Sequence, residues 1–259
     1  KSKANLDTAS LLVLAVLAGA FISLGAIFAT TVSTGVVGVM PIGIGRLISG
    51  LVFCLGLILV LVGGAELFTG NNLIVMAWAG GKVSTPALLR NWGIVYVGNF
   101  AGSIATAALM FLTKQYLSGS GAVGETAVTI ANNKMQFGFA QAVALGIMCN
   151  ALVCLAIWLT YSARTTIDKI AAIIFPITAF VTAGFEHSIA NMYFVPVALF
   201  IKQFDADYVK SLNLDLSRLT WDSFFLHNLL PVTIGNIIGG SVMVAAVYWF
   251  IYLRPGNNS

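Results

Sequence analysis

Three ionisable side chains stand among residues that are otherwise almost all apolar: Glu66, Glu186 and His187. The last two lie in Gly-Phe-Glu-His-Ser-Ile-Ala-Asn-Met, residues 184–192. An earlier stretch, residues 64–72, reads Gly-Ala-Glu-Leu-Phe-Thr-Gly-Asn-Asn. An offset of 120 lays Gly64 on Gly184, Glu66 on Glu186 and Asn71 on Asn191. His187 falls on Leu67 and has no counterpart. The matched carboxylates read as supports, each capping the loose backbone N–H groups of its own break; a proton or cation ligand is the alternative. The unmatched imidazole reads as functional. Its ordinary pKa near 6.5 lets it gain or lose a proton near neutral pH. Thr69, in the opposite stretch, is its natural hydroxyl partner. The bland alternative is a neutral ring hydrogen-bonded in a packed loop.

Catalysis and metal binding are not expected. Neighbouring Glu186 and His187 would diverge on a helix, and no H-E-x-x-H pattern occurs. Cys54, Cys149 and Cys154 lack ligand spacing and read as small buried hydrophobes. No cofactor is implied. Asn99, Asn150 and Asn236 fall inside apolar segments, where amides most often join helices.

The elements that hold these residues must sit in a membrane. The 259 residues are 59% hydrophobic and 8% charged, too few charges to cover a surface facing water. The net charge of +4 forms no basic stripe, so nucleic acid is not a partner. The sequence opens on Lys1, which leaves room for residues ahead of it, and shows no signal-peptide pattern.

Spans are expected at residues 8–33, 91–112, 137–161 and 224–252, with two interrupted elements between them. Residues 46–79 as one helix would be about 50 Å long, beyond a ~30 Å hydrocarbon core. They read as a helix, a break at 63–66 and a half-helix. Residues 170–200 break likewise at 183–188. Residues 114–135 read as a polar connection outside the bilayer, and 202–222 as a charged loop.

The third and sixth spans share N-x6-G-N-x2-G: Asn91, Gly98, Asn99 and Gly102 recur as Asn228, Gly235, Asn236 and Gly239. The first and fourth spans match poorly, with only Gly19 and Gly146 suggesting an alignment. The expectation is one transmembrane domain, residues 1–259, with repeat one near 8–112 and repeat two near 137–252. Three spans are an odd number, so the second repeat is upside down relative to the first, as in many transporters. Seven Lys and Arg against six decide little, but Lys202, Lys210 and Arg218 of the six share a loop with acids, and both termini are expected in the cytoplasm.

The Gly-Phe-Glu-His-Ser-Ile-Ala-Asn-Met and Gly-Ala-Glu-Leu-Phe-Thr stretches, with Asn91-Trp92 and Gly98-Asn99, resemble the formate/nitrite transporter family, nearest its formate channels. The resemblance runs from the first span to Arg254. It implies an all-α, aquaporin-like protomer of six transmembrane helices, broken in the second and fifth, in a homopentamer of the bacterial inner membrane. The cargo would be formate or a similar small anion; nitrite or hydrosulfide passage and a neutral water, glycerol or ammonia pore are alternatives. His187 would be the central pore histidine with Thr69 facing it. Phe53, Leu57 and Phe180 would form one apolar constriction, and Leu67 and Val153 the other. Lys134 would draw anions near the outer vestibule, and Asn150 and Asn236 would be pore-side amides. Gly70 stands where some members carry serine.

Overall fold

The computed structural model describes residues 4, 6–36 and 38–254. Among these no strand occurs, and six helices are long and apolar enough to cross a membrane. Helix α1, Thr8–Ser33, starts where Asp7 accepts the Ser10 N–H at 3.0 Å, relieving one of the first-turn donors. Helix α2 covers Ile42–Gly63 and is followed by two short pieces, α3 (Phe68–Asn71) and α4 (Ile74–Ala79). Helix α5, Thr85–Leu112, begins six residues before the expected Asn91. Ser84 caps it, and Pro86 sits in the first turn, where its missing N–H costs nothing.

Residues 114–135 are more ordered than a polar connection. They hold a 3₁₀ turn, Gln115–Leu117, and helix α6, Ala122–Lys134. Val123, Ala127, Val128 and Ala131 form its buried face, so its apolar residues are few but correctly spaced. Helix α7 covers Phe139–Thr160. Helix α8, Thr166–Ala183, opens with Thr165 and Asp168 capping each other's backbone N–H. Helix α9, Ser188–Phe204, follows the second break, and the charged loop beyond it carries α10, Ala206–Ser211. The sixth span, Trp221–Leu253, widens to π-helical turns at Phe224–Leu229, Ile238–Ala246 and Trp249–Leu253.

Both interrupted spans stop in the same way. α2 ends on Gly64 at φ +78° and α8 on Gly184 at φ +77°, a left-handed conformation that a side chain opposes. The repeated glycine is therefore the residue that halts each helix.

The shared span motif is equally physical. A methyl on Gly102 would lie 2.0 Å from the Val16 carbonyl oxygen of α1; one on Gly239 would lie 2.2 Å from the Ile147 carbonyl oxygen of α7. These glycines let the helix backbones meet. Leu12, Ala15 and Val16 face Gly98 as Val143, Gly146 and Ile147 face Gly235. The first and fourth spans thus align at an offset of 131, and Gly19 corresponds to Asn150. The pairing of Gly19 with Gly146 was one helical turn out, because small residues recur at each turn of α1.

Equivalent residues also touch. The hydroxyls of Tyr96 and Thr233, 137 apart in sequence, lie 2.9 Å from each other. Cys54 Sγ lies 3.5 Å from the carbonyl oxygen of Ile174, 120 residues on. Contacts between counterparts are what a two-fold relation between two halves produces. Arg90 donates to the Leu6 carbonyl and the Thr8 hydroxyl, which joins the starts of α5 and α1 on one face, called here the terminal face.

Candidate functional site

The two breaks are held by the same bonds. Asn71 Nδ2 donates to Glu66 Oε2 (2.8 Å) and Asn91 Oδ1 (2.9 Å); Asn191 Nδ2 donates to Glu186 Oε2 (2.7 Å) and Asn228 Oδ1 (2.8 Å). The Phe68 N–H donates to Asn99 Oδ1, and the Ser188 N–H to Asn236 Oδ1, each at 2.9 Å. The Glu66 and Glu186 N–H groups donate to the Leu14 and Leu145 carbonyls. Asn99 and Asn236 return hydrogen bonds to the carbonyls of Glu66 and Glu186.

This corrects the expected division of labour. The span asparagines and the carbonyls of packed helices take the break's backbone donors. Glu186 instead binds side chains: Asn191, Asn228 and Lys134, whose Nζ lies 2.6 Å from Oε1. A buried carboxylate with a matched cation and two amides avoids the penalty of an unpaired charge. The Lys134 side chain is 14% exposed and its ammonium also lies over the Phe194 ring. Its charge is thus matched inside the protein, at the edge of the region where the resemblance sets an anion-drawing residue.

Between the breaks, Thr69 Oγ1 and His187 Nε2 are 3.0 Å apart and both residues are buried. His187 caps α9: the Ala190 N–H donates to Nδ1 at 3.1 Å. An accepting Nδ1 carries no proton, so the neutral ring holds its hydrogen on Nε2 and donates it to Thr69. The Thr69 hydroxyl keeps its own hydrogen, with no other acceptor among the described residues.

Apolar residues flank this pair. Phe180 lies 6.0 Å from the His187 ring, nearly parallel, and 5.7 Å from Phe53, edge-on. Phe53, Leu57, Phe180, Leu67 and Val153 are all buried in one core. On the terminal-face side a cavity of 930 Å³ reaches Leu67 and Gly70, the residues around Thr69, and holds Lys82 and Lys169 at its rim. A second cavity of 430 Å³, lined by Met135, Arg218 and His227 among others, stops short of the histidine.

Both expected pore-side amides are engaged in the scaffold. Asn236 is held by the bonds given above, and the two hydrogens of Asn150 Nδ2 are shared among three acceptors, the Asn236 carbonyl (2.7 Å), Asn72 Oδ1 (2.7 Å) and, at a longer 3.2 Å, the Thr69 carbonyl. Asn72 is a further member of this set, marked in the sequence by its pairing with Met192 at the offset of 120. No group of three or more His, Cys, Asp or Glu able to hold a metal occurs among the described residues.

The formate/nitrite transporter family model matches residues 1–250. The chain belongs to the formate/nitrite transporter family. The formate channel FocA of Escherichia coli K12 is 43% identical over 249 residues, covering 95% of this chain and 87% of that protein. FocA of Haemophilus influenzae is 40% identical, covering 88% and 81%. A solved structure described as a pentameric formate channel with formate bound superposes with a TM-score of 0.88 at 45% identity, covering 95% of this chain and 98% of its own. These relatives are channels, not enzymes, and this family member is a multi-pass membrane protein of anion-channel type.

Proposed function

We propose that the protein is a channel for small monovalent anions, formate foremost, in the inner membrane of a bacterium, with both termini in the cytoplasm and five copies assembled as in the pentameric relative. The observation that carries this is the His187–Thr69 contact, buried between apolar residues on either side. A bare carboxylate pays heavily to leave water for such a passage, whereas neutral formic acid pays much less.

A neutral imidazole N–H is a hydrogen-bond donor and not a useful acid. The proton that neutralises the anion therefore enters from the loading side. It reaches the ring at Nδ1, where the imidazolium gives up the Ala190 bond, and the Nε2 proton passes to the carboxylate. Neutral acid and the Nδ1–H tautomer of the ring result; the ring returns to its starting form by taking a proton at Nε2 and releasing the one on Nδ1, and one proton travels with each formate. Thr69 offers its hydroxyl hydrogen to the second carboxylate oxygen. Flux rises as the loading side is acidified.

The test is stopped-flow swelling or flux in proteoliposomes with formate, nitrite and glycerol. Formate flux that increases with acid, with little glycerol entry, fits the proposal. Glycerol entry equal to formate entry would make the protein a neutral-solute pore.

A further inference from the structure

The two halves share one scaffold, so their differences isolate what the scaffold does not need. Among the central positions that differ, five form one set. Leu67 becomes His187, Thr69 becomes Ile189 and Asn72 becomes Met192 at the offset of 120. Gly19 becomes Asn150 at 131, and Ser103 becomes Gly240 at 137. One member of every pair belongs to a single chain of contacts. His187 meets Thr69, the Thr69 carbonyl accepts from Asn150, and Asn150 donates to Asn72. Gly240 makes room for the amide, since a methyl there would lie 2.5 Å from Asn150 Nδ2.

The exchange is reciprocal. In the first half Gly19 is pressed on the Asn99 carbonyl, where a methyl would come within 2.1 Å, and Ser103 donates back to the Gly19 carbonyl. In the second half the bulk moves across: α7 carries Asn150 and the sixth span carries glycine. The sixth span widens to a π-helical turn over Ile238–Ala246, while α5 stays α-helical at the equivalent residues. Widened turns of this kind collect at functional positions.

The amide orientations follow. Two backbone carbonyls face Asn150 Nδ2, so that atom must be nitrogen and Asn72 must present oxygen to it. Asn72 Nδ2 is then left buried without an acceptor. An orphaned buried donor is costly, so it is retained only where the rest of the side chain has a task. Cys154 Sγ, 3.4 Å from the Thr69 carbonyl, completes the grip.

We infer that Asn150 and Asn72 form a clamp that fixes the Thr69 segment so that its hydroxyl meets His187 Nε2; both are positioning residues for the anion path. The clamp deepens the proton-exchange reading above and rests on it. Titratable groups around His187 are Glu186 and Lys134, paired with each other, and the buried thiols of Cys149 and Cys154.

The test compares Asn72→Met, Asn150→Ala and Thr69→Val, alone and in pairs, in reconstituted channels. Asn72→Met places a residue the other half already holds at that position, so it decides the question if Asn150→Ala fails to assemble. Two readouts are taken: the ¹⁵N shift of His187 Nε2 in bilayers, and formate flux against pH. The clamp predicts that Asn72→Met and Asn150→Ala move the Nε2 shift to its Thr69→Val value. It predicts a flux loss of about three- to tenfold, the scale of one hydrogen bond, with the Thr69→Val pH profile and no further loss in the doubles. A wild-type Nε2 shift and pH profile in Asn72→Met, or losses that add to those of Thr69→Val, would overturn it. If Thr69→Val leaves flux unchanged, the transport reading fails, and the Nε2 shift still decides the clamp.

Discussion

Thr69 Oγ1 and His187 Nε2 lie 3.0 Å apart although 118 residues separate them in the chain. Each sits just past the glycine that stops its helix, so two helix breaks are needed to create one contact. Replacing Thr69 by Val keeps the volume and removes the acceptor. Flux at acid pH should fall about three- to tenfold, and stability should drop by about 1–3 kcal/mol because the buried Nε2–H loses its acceptor. Proteoliposome flux and a melting curve on the same preparation check this.

Lys134 and Glu186 should behave as a pair. Lys134→Met leaves a buried carboxylate without its cation and should cost about 3–5 kcal/mol. Lys134→Met with Glu186→Gln should recover much of that loss, because the amide still meets Asn191 and Asn228. Thermal stability of the two variants checks the sign; a double variant less stable than the single would contradict it.

Asn99→Leu and Asn236→Leu should destabilise by similar amounts. Each orphans a break N–H, of Phe68 or of Ser188, at about 1–3 kcal/mol, and strips the partner from two further carbonyls. Gly102→Ala and Gly239→Ala should be worse in assembly than either, since backbone, not a flexible side chain, occupies the space of the added methyl. The yield of the folded oligomer on size exclusion reads this directly.

On the face away from the termini, Tyr116 donates to Asp205 Oδ2 at 2.7 Å and Tyr208 donates to the Gly121 carbonyl at 2.6 Å. Burial first, and then the hydrogen bond to Asp205 and its charge, push the Tyr116 phenol up to about 12. A folded-state value above the ordinary ~10 means that this contribution to stability is whole below pH ~10. It is lost as pH rises through the folded value. Melting temperature should drop more steeply between pH 10 and 12 in wild type than in Tyr116→Phe.

Much of the fold was legible because the membrane leaves few choices: α1 was expected at residues 8–33 and runs from Thr8 to Ser33. The repeats announced Gly64 and Gly184, the two breaks, and the pairing of His187 with Thr69. Helix α6 was hidden because its five buried residues are small or β-branched within a polar stretch. The roles of the amides were hidden for another reason. Whether Asn150 faces a pore or a backbone carbonyl depends on a helix-to-helix distance set by Gly240, 90 residues away, and no local pattern carries that. Glu186 binds side chains where the matched pair suggested a backbone cap, while the equally matched asparagines of α5 and the sixth span take the Phe68 and Ser188 N–H groups.

The most direct test of proton exchange at His187 is formate flux into proteoliposomes at two external pH values, wild type against His187→Asn. Asparagine can still cap α9 and still offer a polar group to Thr69, but it cannot carry a proton. With proton exchange at His187, acid stimulates wild-type flux and His187→Asn loses that stimulation while remaining folded. A His187→Asn channel with wild-type flux and the same pH dependence would contradict it.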